Sequence, residues 1–283
     1  MAIMNLKSSG IVASISDTRV RDEADALKRL ARGELGHDES VSGKYIQRRA
    51  LSLIYEDPYL RKVLVLKGGA ALDIVYDSRR SSDEDLDFSL KRGADIERVK
   101  ANFDRIAYEL TSEYPGIQRV KKNDHHSVIK LNENRQVSIQ VELSKPTLLK
   151  PMMVDIDFPG IGIVRINAMA INEQLAEKID AIVNRQNPGR LLNDIYDIDF
   201  MLTRMGATFH QNLVIQKLNS PKLPIESPEQ ARRLVDDQLL RIFSDQDLKS
   251  LWDEHTRTFL DTESFDVMAE RILERWARDT VRK

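Results

Sequence analysis

The sequence predicts an α+β protein, with a sheet-bearing region followed by a helical one. Three observations predict it. Between about residues 62 and 168, short apolar runs with two-residue alternation recur between turn residues. From about residue 172 onward, apolar residues return every three to four positions, in segments long enough for helices. The change of character falls near residues 165–172, which suggests two domains, 1–168 and 169–283. A chain of 283 residues, 41% hydrophobic and 31% charged, can bury a core in each.

The elements follow in order. "DTRVRDEADALKRLARG" (17–33) reads as an amphipathic helix, with Ser16 or Asp17 as its cap and Gly33 at its end. "ESVSGKYIQRRALSLIYEDPYL" holds a second helix, whose apolar face includes Tyr45, Ile46, Ala50, Leu51, Leu53 and Ile54; it stops before Pro58. "KVLVLKGG" is then a buried strand ending in a turn, "AALDIVY" a short helix and "EDLDFSL" a strand. "ADIERVKANFDRIAYELTSEY" has the helical rhythm. "HSVIKLN" and "VSIQVELS" are strands around the "ENRQ" turn, and "GIVRINAM" is another. "NEQLAEKIDAIVNR", "RLLNDIYDIDFMLTRM", "SPEQARRLVDDQLLRIF" and "SFDVMAERILERWARD" are helices. The third of these has Ser227 at the cap, Pro228 at the first position and Gln230 at the capping-box place.

Bulk properties exclude some chemistry. The absence of cysteine rules out disulfides and thiolate sites, and fits a reducing cytoplasm. "MAIMNLKSSGIVASISD" lacks the apolar stretch of a signal peptide, and no segment approaches a membrane span, so no membrane partner is expected. A net charge of −2 makes any polyanion site a local patch. HExxH, G-x-S-x-G and the P-loop lysine motif do not occur.

The most informative stretch is "VLVLKGGAALDIVYDSRRSSDEDLDFSL". On a strand, residues two apart share a side. Asp83, Asp85, Asp87 and Ser89 therefore share one, and Leu86, Phe88 and Leu90 the other. Two carboxylates at this spacing can reach the same hard divalent cation, and Mg²⁺ is commonly held by such a pair together with substrate phosphates. Regular strand placing Glu84 on the buried side is unfavourable, so Asp85 and Asp87 are the preferred pair. Read alone, a D-x-D is as readily a solvated strand face. Read alone, Gly68-Gly69 is a tight turn; opening a helix, its amides also form an anion cradle. The two together, a phosphate cradle beside a metal pair, are far more specific than either part.

"LKGGAAL" followed by "DEDLDF" resembles the first two motifs of polymerase-β-type nucleotidyltransferases, and more narrowly the AbiEii/AbiGii toxin family of type IV toxin–antitoxin and phage-defence systems. "IQVELS" resembles the family's next strand, which makes Glu142 the third carboxylate. "LAEKIDAIVNR" resembles its lysine-bearing helix, which makes Lys178 the carried-over lysine. "LLNDIYDIDFML" resembles the "RDLYDL" element, which puts the fourth-motif aspartate at Asp194. "YIQRRALSLI" resembles the helix before the first strand. Two positions depart from the family pattern: Ala70 stands where a hydroxyl is frequent, and Asn193 where a base often precedes the aspartate, with Arg190 a turn earlier as a substitute.

The resemblance implies a polymerase-β-like mixed sheet domain with a C-terminal helical domain. It also implies Mg²⁺-dependent nucleotidyl transfer from an NTP to the 3′ end of tRNA, which blocks translation, with a cognate antitoxin as partner. Asp85, Asp87 and Glu142 would be the metal ligands, with Glu142 completing the metal that binds the attacking hydroxyl or accepting that hydroxyl's proton. Lys67, Gly68, Gly69, Ala70 and Lys178 would bind the nucleotide, and Asp194 would hold Lys178 or contact the nucleotide. Arg79, Arg80, Lys91 and Arg92 flank the acidic strand and are either an attractor for a polyanionic acceptor or a solvated rim. Other readings are a small-molecule or protein acceptor and a non-catalytic nucleotide-binding regulator. A ribonuclease using Arg204 and His210 is a further one, although Gly206 interrupts the helix it needs.

Overall fold

The computed structural model describes residues 39–76, 78, 85–113, 118–123, 126–130, 136–142, 146–220, 223–255 and 263–281. The expected helix over 17–33, Arg79, Arg80, Asp83 and most of the "ENRQ" turn lie outside the described residues. Two compact units divide the chain. One takes in residues up to Ala70, Glu84–Thr147 and Pro151–Ala168; the other takes in Ala71–Asp83, Leu148–Lys150 and Met169–Lys283.

The first unit holds the sheet. Helix α1 (Glu39–Glu56) buries Ile46, Ala50, Leu51, Leu53 and Ile54, the face expected from its spacing. A short helix not anticipated from the sequence, α2 (Pro58–Val63), follows. Asp57 caps it, its carboxylate accepting from the amides of Tyr59 at 2.8 Å and Leu60 at 2.9 Å, and Pro58 takes the first turn. This start signal trims the next strand, β1, to Leu64–Lys67. Helix α3 (Gly68–Tyr76) begins at the Gly-Gly pair, and β2 (Leu86–Leu90) comes after it. Then come α4 (Ile96–Glu113), β3 (Gln118–Asn123), β4 (His126–Lys130), β5 (Gln136–Glu142), β6 (Met152–Phe158) and β7 (Gly162–Ala168).

The strands form one mixed sheet in the order β3-β4-β5-β2-β1-β7-β6. β1 pairs antiparallel with β2 and parallel with β7, and β2 pairs parallel with β5. The edges, β3 and β6, are the strands not anticipated in the sequence. "QRVKKN" carries the charge usual at a protected edge, which hides its pattern. β6 does alternate toward its end, where exposed Asp157 stands between buried Ile156 and Phe158.

The apolar side of β2 packs inward as expected. Phe88 lies between Tyr55 of α1 (ring centroids 6.3 Å apart) and Phe103 of α4 (6.4 Å). Tyr55 also takes the place of a ladder rung: its hydroxyl accepts from the Leu66 amide at 3.2 Å and donates to the Asn167 carbonyl at 2.8 Å. β1 and β7 are thus bridged by a side chain beside their one registered pair, Leu66 with Ala168. Burial holds this phenol far above the ordinary tyrosine range, and the Leu66 and Asn167 bonds only partly offset that.

The second unit is helical beyond α3: α5 (Ile171–Asn184), α6 (Pro188–Thr203), α7 (Gln211–Leu218), α8 (Pro228–Phe243), α9 (Gln246–His255) and α10 (Phe265–Val281). α7 and α9 are additions to the sequence reading. Ile179, Ile195, Val235, Trp252, Ile272 and Trp276 are in its core. Ser227 caps α8, accepting from the Gln230 amide at 3.1 Å, while the Gln230 carboxamide reaches one residue further back, to the Glu226 amide at 2.6 Å. Fully buried Glu173 is satisfied by Lys217 at 2.7 Å and by the amides of Leu148 and Leu149 at 2.8 and 2.9 Å. Arg204 caps the end of α6, Gly206 has φ +64°, and His210 caps the start of α7. Arg204 and His210 therefore do not share a helix, and the ribonuclease reading loses its scaffold.

Candidate active site

At the end of β1 the chain reaches Lys67, turns at Gly68 and enters α3. Lys67 is buried and stands directly across from Asp87 in the β1–β2 register. A cation opposite an acid on neighbouring strands is a favourable pairing, and it answers part of the repulsion that alternating aspartates create. Gly68 has φ +71°, a left-handed conformation that glycine adopts without steric cost. A β-carbon placed there would stand 3.1 Å from Asp87 Oδ2. The turn backbone and the carboxylate are thus in close approach, and a side chain here would push the Asp87 carboxylate back by a few tenths of an ångström. Gly69 and buried Ala70 continue into the first turn of α3.

β2 carries its acids at its start. Asp85 is exposed, Asp87 half-buried and Ser89 fully buried, so this side runs from solvent into the sheet along the strand. The side chain of Gln47, on α1 and itself buried, donates from Nε2 to the Asp85 carbonyl at 3.2 Å. That bond fixes the backbone where the strand begins. On the other flank of β2, Asp87 is paired with Gln140 and Ser89 with Glu142. Glu142 therefore lies on the adjacent strand, one same-side position beyond Asp87. Among the described residues no group of three acidic or histidine side chains stands close enough to hold a metal ion; the carboxylates that could begin such a site are Asp85 and Asp87.

Lys91 and Arg92 follow the far end of β2. At about 3.3 Å per residue they lie on the order of 13 Å or more from Asp87 along the strand. They are at the wrong end to serve an acceptor at the acids, and burial lowers the Lys91 pKa.

In the helical unit, Lys178 on α5 meets two carboxylates of α6, Asp194 Oδ1 at 2.8 Å and Asp197 Oδ2 at 2.6 Å. Arg185 Nη1 takes the other Asp194 oxygen at 2.6 Å. Both aspartates are fully buried. Burial alone would lower the Lys178 pKa, but the charges and hydrogen bonds of Asp197 and Asp194 outweigh it and raise it. Asp194 thus holds Lys178, one of the two roles left open in the sequence. Its second cation is Arg185, not Arg190, which is exposed and whose amide serves the Asn187 cap. Asp197 was not singled out from the sequence, although its place one turn after Asp194 on an apolar helix was the available signal.

The family model for the nucleotidyl transferase AbiEii toxin of type IV toxin–antitoxin systems matches residues 49–280, most of the chain. The chain belongs to the AbiEii toxin family. It is accordingly a toxin nucleotidyltransferase, and the family implies an NTP substrate and an antitoxin partner. Among solved structures it resembles the nucleotidyltransferase toxin MenT4 from Mycobacterium tuberculosis H37Rv, with TM-score 0.52 and 17% identity over 92% of this chain and 90% of that one. JHP933 from Helicobacter pylori aligns with TM-score 0.44 and 16% identity over 86% and 95% of the two chains. No curated protein matches. At such identities the first likeness speaks for the fold, a nucleotidyltransferase fold as the sequence predicts. Among the described residues of this AbiEii chain, no helix is long and apolar enough to cross a membrane.

Proposed function

We propose that this AbiEii toxin transfers a nucleoside monophosphate from an NTP to the 3′ end of an RNA, with tRNA as the acceptor, and so blocks translation. The observation that carries the reading is the close approach of Asp87 to the Gly68 turn. It sets a carboxylate beside a turn whose amides open a helix, the two halves of a nucleoside triphosphate site. Two carboxylates with no nitrogen or sulfur donor among them suit a hard divalent cation, so Mg²⁺ fits Asp85 and Asp87. When bound, such a cation offsets phosphate charge and the charge that develops in the transition state.

The protein's own groups do the rest. Amides at Gly68, Gly69 and Ala70 hold triphosphate oxygens, and Lys67 contributes positive charge behind Asp87. The acceptor hydroxyl attacks the α-phosphorus, the bond to pyrophosphate breaks, and the hydroxyl proton passes to Glu142 on the neighbouring strand. In the helical unit, Asp194 and Asp197 keep Lys178 charged. We assign the protein to the cytoplasm, where tRNA is found.

Incubation of the purified protein with unfractionated tRNA, each labelled NTP in turn and Mg²⁺, followed by sequencing of RNA 3′ ends, tests the reading. Added nucleotides at tRNA termini, dependent on Mg²⁺, are expected. Label that appears on protein or on small acceptors but not on RNA would move the acceptor to another class. Absence of any transfer would overturn the reading.

A further inference from the structure

Asp87 has a different neighbour on each side. Toward β1 it faces Lys67 and the Gly68 turn, and toward β5 it is in register with Gln140. Adjacent strands lie about 4.8 Å apart, so Lys67 and Gln140 are separated by roughly 10 Å with Asp87 between them. Gln140 is exposed, while Ile139 and Val141 on either side of it are buried. By strand alternation its side chain is therefore on the open side of the sheet, that of Asp87, and not in the core beneath α1 and α4.

We infer that Gln140 contacts the acceptor and helps set its specificity. The inference rests on the nucleotidyl-transfer reading above and on one property of that chemistry. In an in-line displacement, the attacking and leaving oxygens stand on opposite sides of phosphorus. The Gly68 turn holds the pyrophosphate on the β1 side of Asp87. The attacking hydroxyl then arrives from the β5 side, where the residue beside Asp87 is Gln140. A carboxamide both donates and accepts hydrogen bonds, so it can meet a terminal ribose or base edge of a nucleic acid while adding no charge beside the carboxylates. Glu142 is one same-side position further along β5, opposite Ser89, so Gln140 lies between the start of the strand and that acid.

Gln140→Ala removes the carboxamide at an exposed position and should leave the fold unchanged, with a melting temperature equal to that of the wild type. Steady-state transfer from labelled NTP to unfractionated tRNA, with each substrate varied at saturation of the other, separates the two sides. Loss of one hydrogen bond on the acceptor side should raise the KM for tRNA about tenfold and leave the KM for NTP within twofold. Gln140→Asn, which keeps the amide but shortens its reach, should fall between. A rise in the KM for NTP would place Gln140 on the donor side and overturn the inference, as would no change in either constant. If the wild type transfers nothing to any acceptor, the nucleotidyl-transfer reading fails first and takes this inference with it.

Discussion

Asp87 Oδ2 lies 3.1 Å from the point where a side chain on Gly68 would begin, and Gly68 sits at φ +71°. The left-handed backbone favours glycine here, and any side chain would also have to displace the Asp87 carboxylate by a few tenths of an ångström. Gly68→Ala would cost about 1–2 kcal/mol for the left-handed conformation alone and would press a methyl group against the carboxylate. Nucleotidyl transfer should fall at least a hundredfold, while urea denaturation shows only that small loss of stability. Activity within a few-fold of wild type would mean that Asp87 and the turn do not share a ligand.

The Lys178 cluster gives a stability prediction. Lys178→Met removes an ammonium that two buried carboxylates share, while Arg185 stays on Asp194. Breaking a buried pair in this way costs about 3–5 kcal/mol. Asp197→Asn should cost less, since Asp194 still holds the lysine. The pH dependence follows from the raised Lys178 pKa. Its contribution is fully present below the unfolded value of 10.5 and is lost only as pH rises through the higher folded value. Denaturation midpoints measured from pH 8 to about 11 should show no loss from this group below about 10.5.

Asp199 titrates in the opposite sense to an ordinary paired carboxylate. Burial pushes it up to about 6; Arg271, touching both of its oxygens at 3.0 and 3.1 Å, pulls it down, and Glu263 pushes it up again. The folded state keeps a proton that the unfolded chain releases near 3.8, so the associated stability is present below that pH and is lost as pH rises through about 6. Carboxyl-detected NMR should find one aspartate near 6, moving lower in Glu263→Gln. An unmoved value would show that Glu263 does not reach it.

Tyr55→Phe tests the bridge between β1 and β7. It leaves the Leu66 amide and the Asn167 carbonyl without the hydroxyl that joins them in the core. A loss of about 1–3 kcal/mol is expected from urea denaturation. A neutral result would mean that the hydroxyl adds nothing to the existing pairing of β1 with β7.

Gln47→Ala should act on the chemistry more than on the fold. Its bond to the Asp85 carbonyl ties α1 to the start of β2. With that tie gone, kcat should fall several-fold, and the requirement for Mg²⁺ should shift to higher concentration. Unchanged Mg²⁺ dependence would limit Gln47 to a packing role.

Much of this was legible in the sequence because the signals were local. The two-residue alternation through Asp85, Leu86, Asp87 and Phe88 fixed which side faces the core, and Gly68-Gly69 marked the turn. The helix over 188–203 showed in its period, and Ser227-Pro228 announced α8. The edge strands escaped: "QRVKKN" is charged, as an edge that must avoid pairing has to be, and the alternation of β6 is shallow at its start. The register that puts Gln140, not Glu142, directly beside Asp87 depends on a pairing between strands about fifty residues apart. No local pattern encodes it. Asp197 was missed for a related reason. On a helix an aspartate reads as solvated until the neighbouring helix shows a lysine opposite.

The most direct test of the central claim is nucleotidyl transfer by Asp87→Asn, a change that keeps the shape beside Gly68 and removes only the negative charge. Expected are a folded protein whose thermal stability falls only by the loss of the Lys67 pairing, no detectable labelling of tRNA by NTP at any Mg²⁺ concentration, and no growth arrest on expression. A variant that still labels tRNA and still arrests growth would show that the chemistry is done elsewhere on the chain.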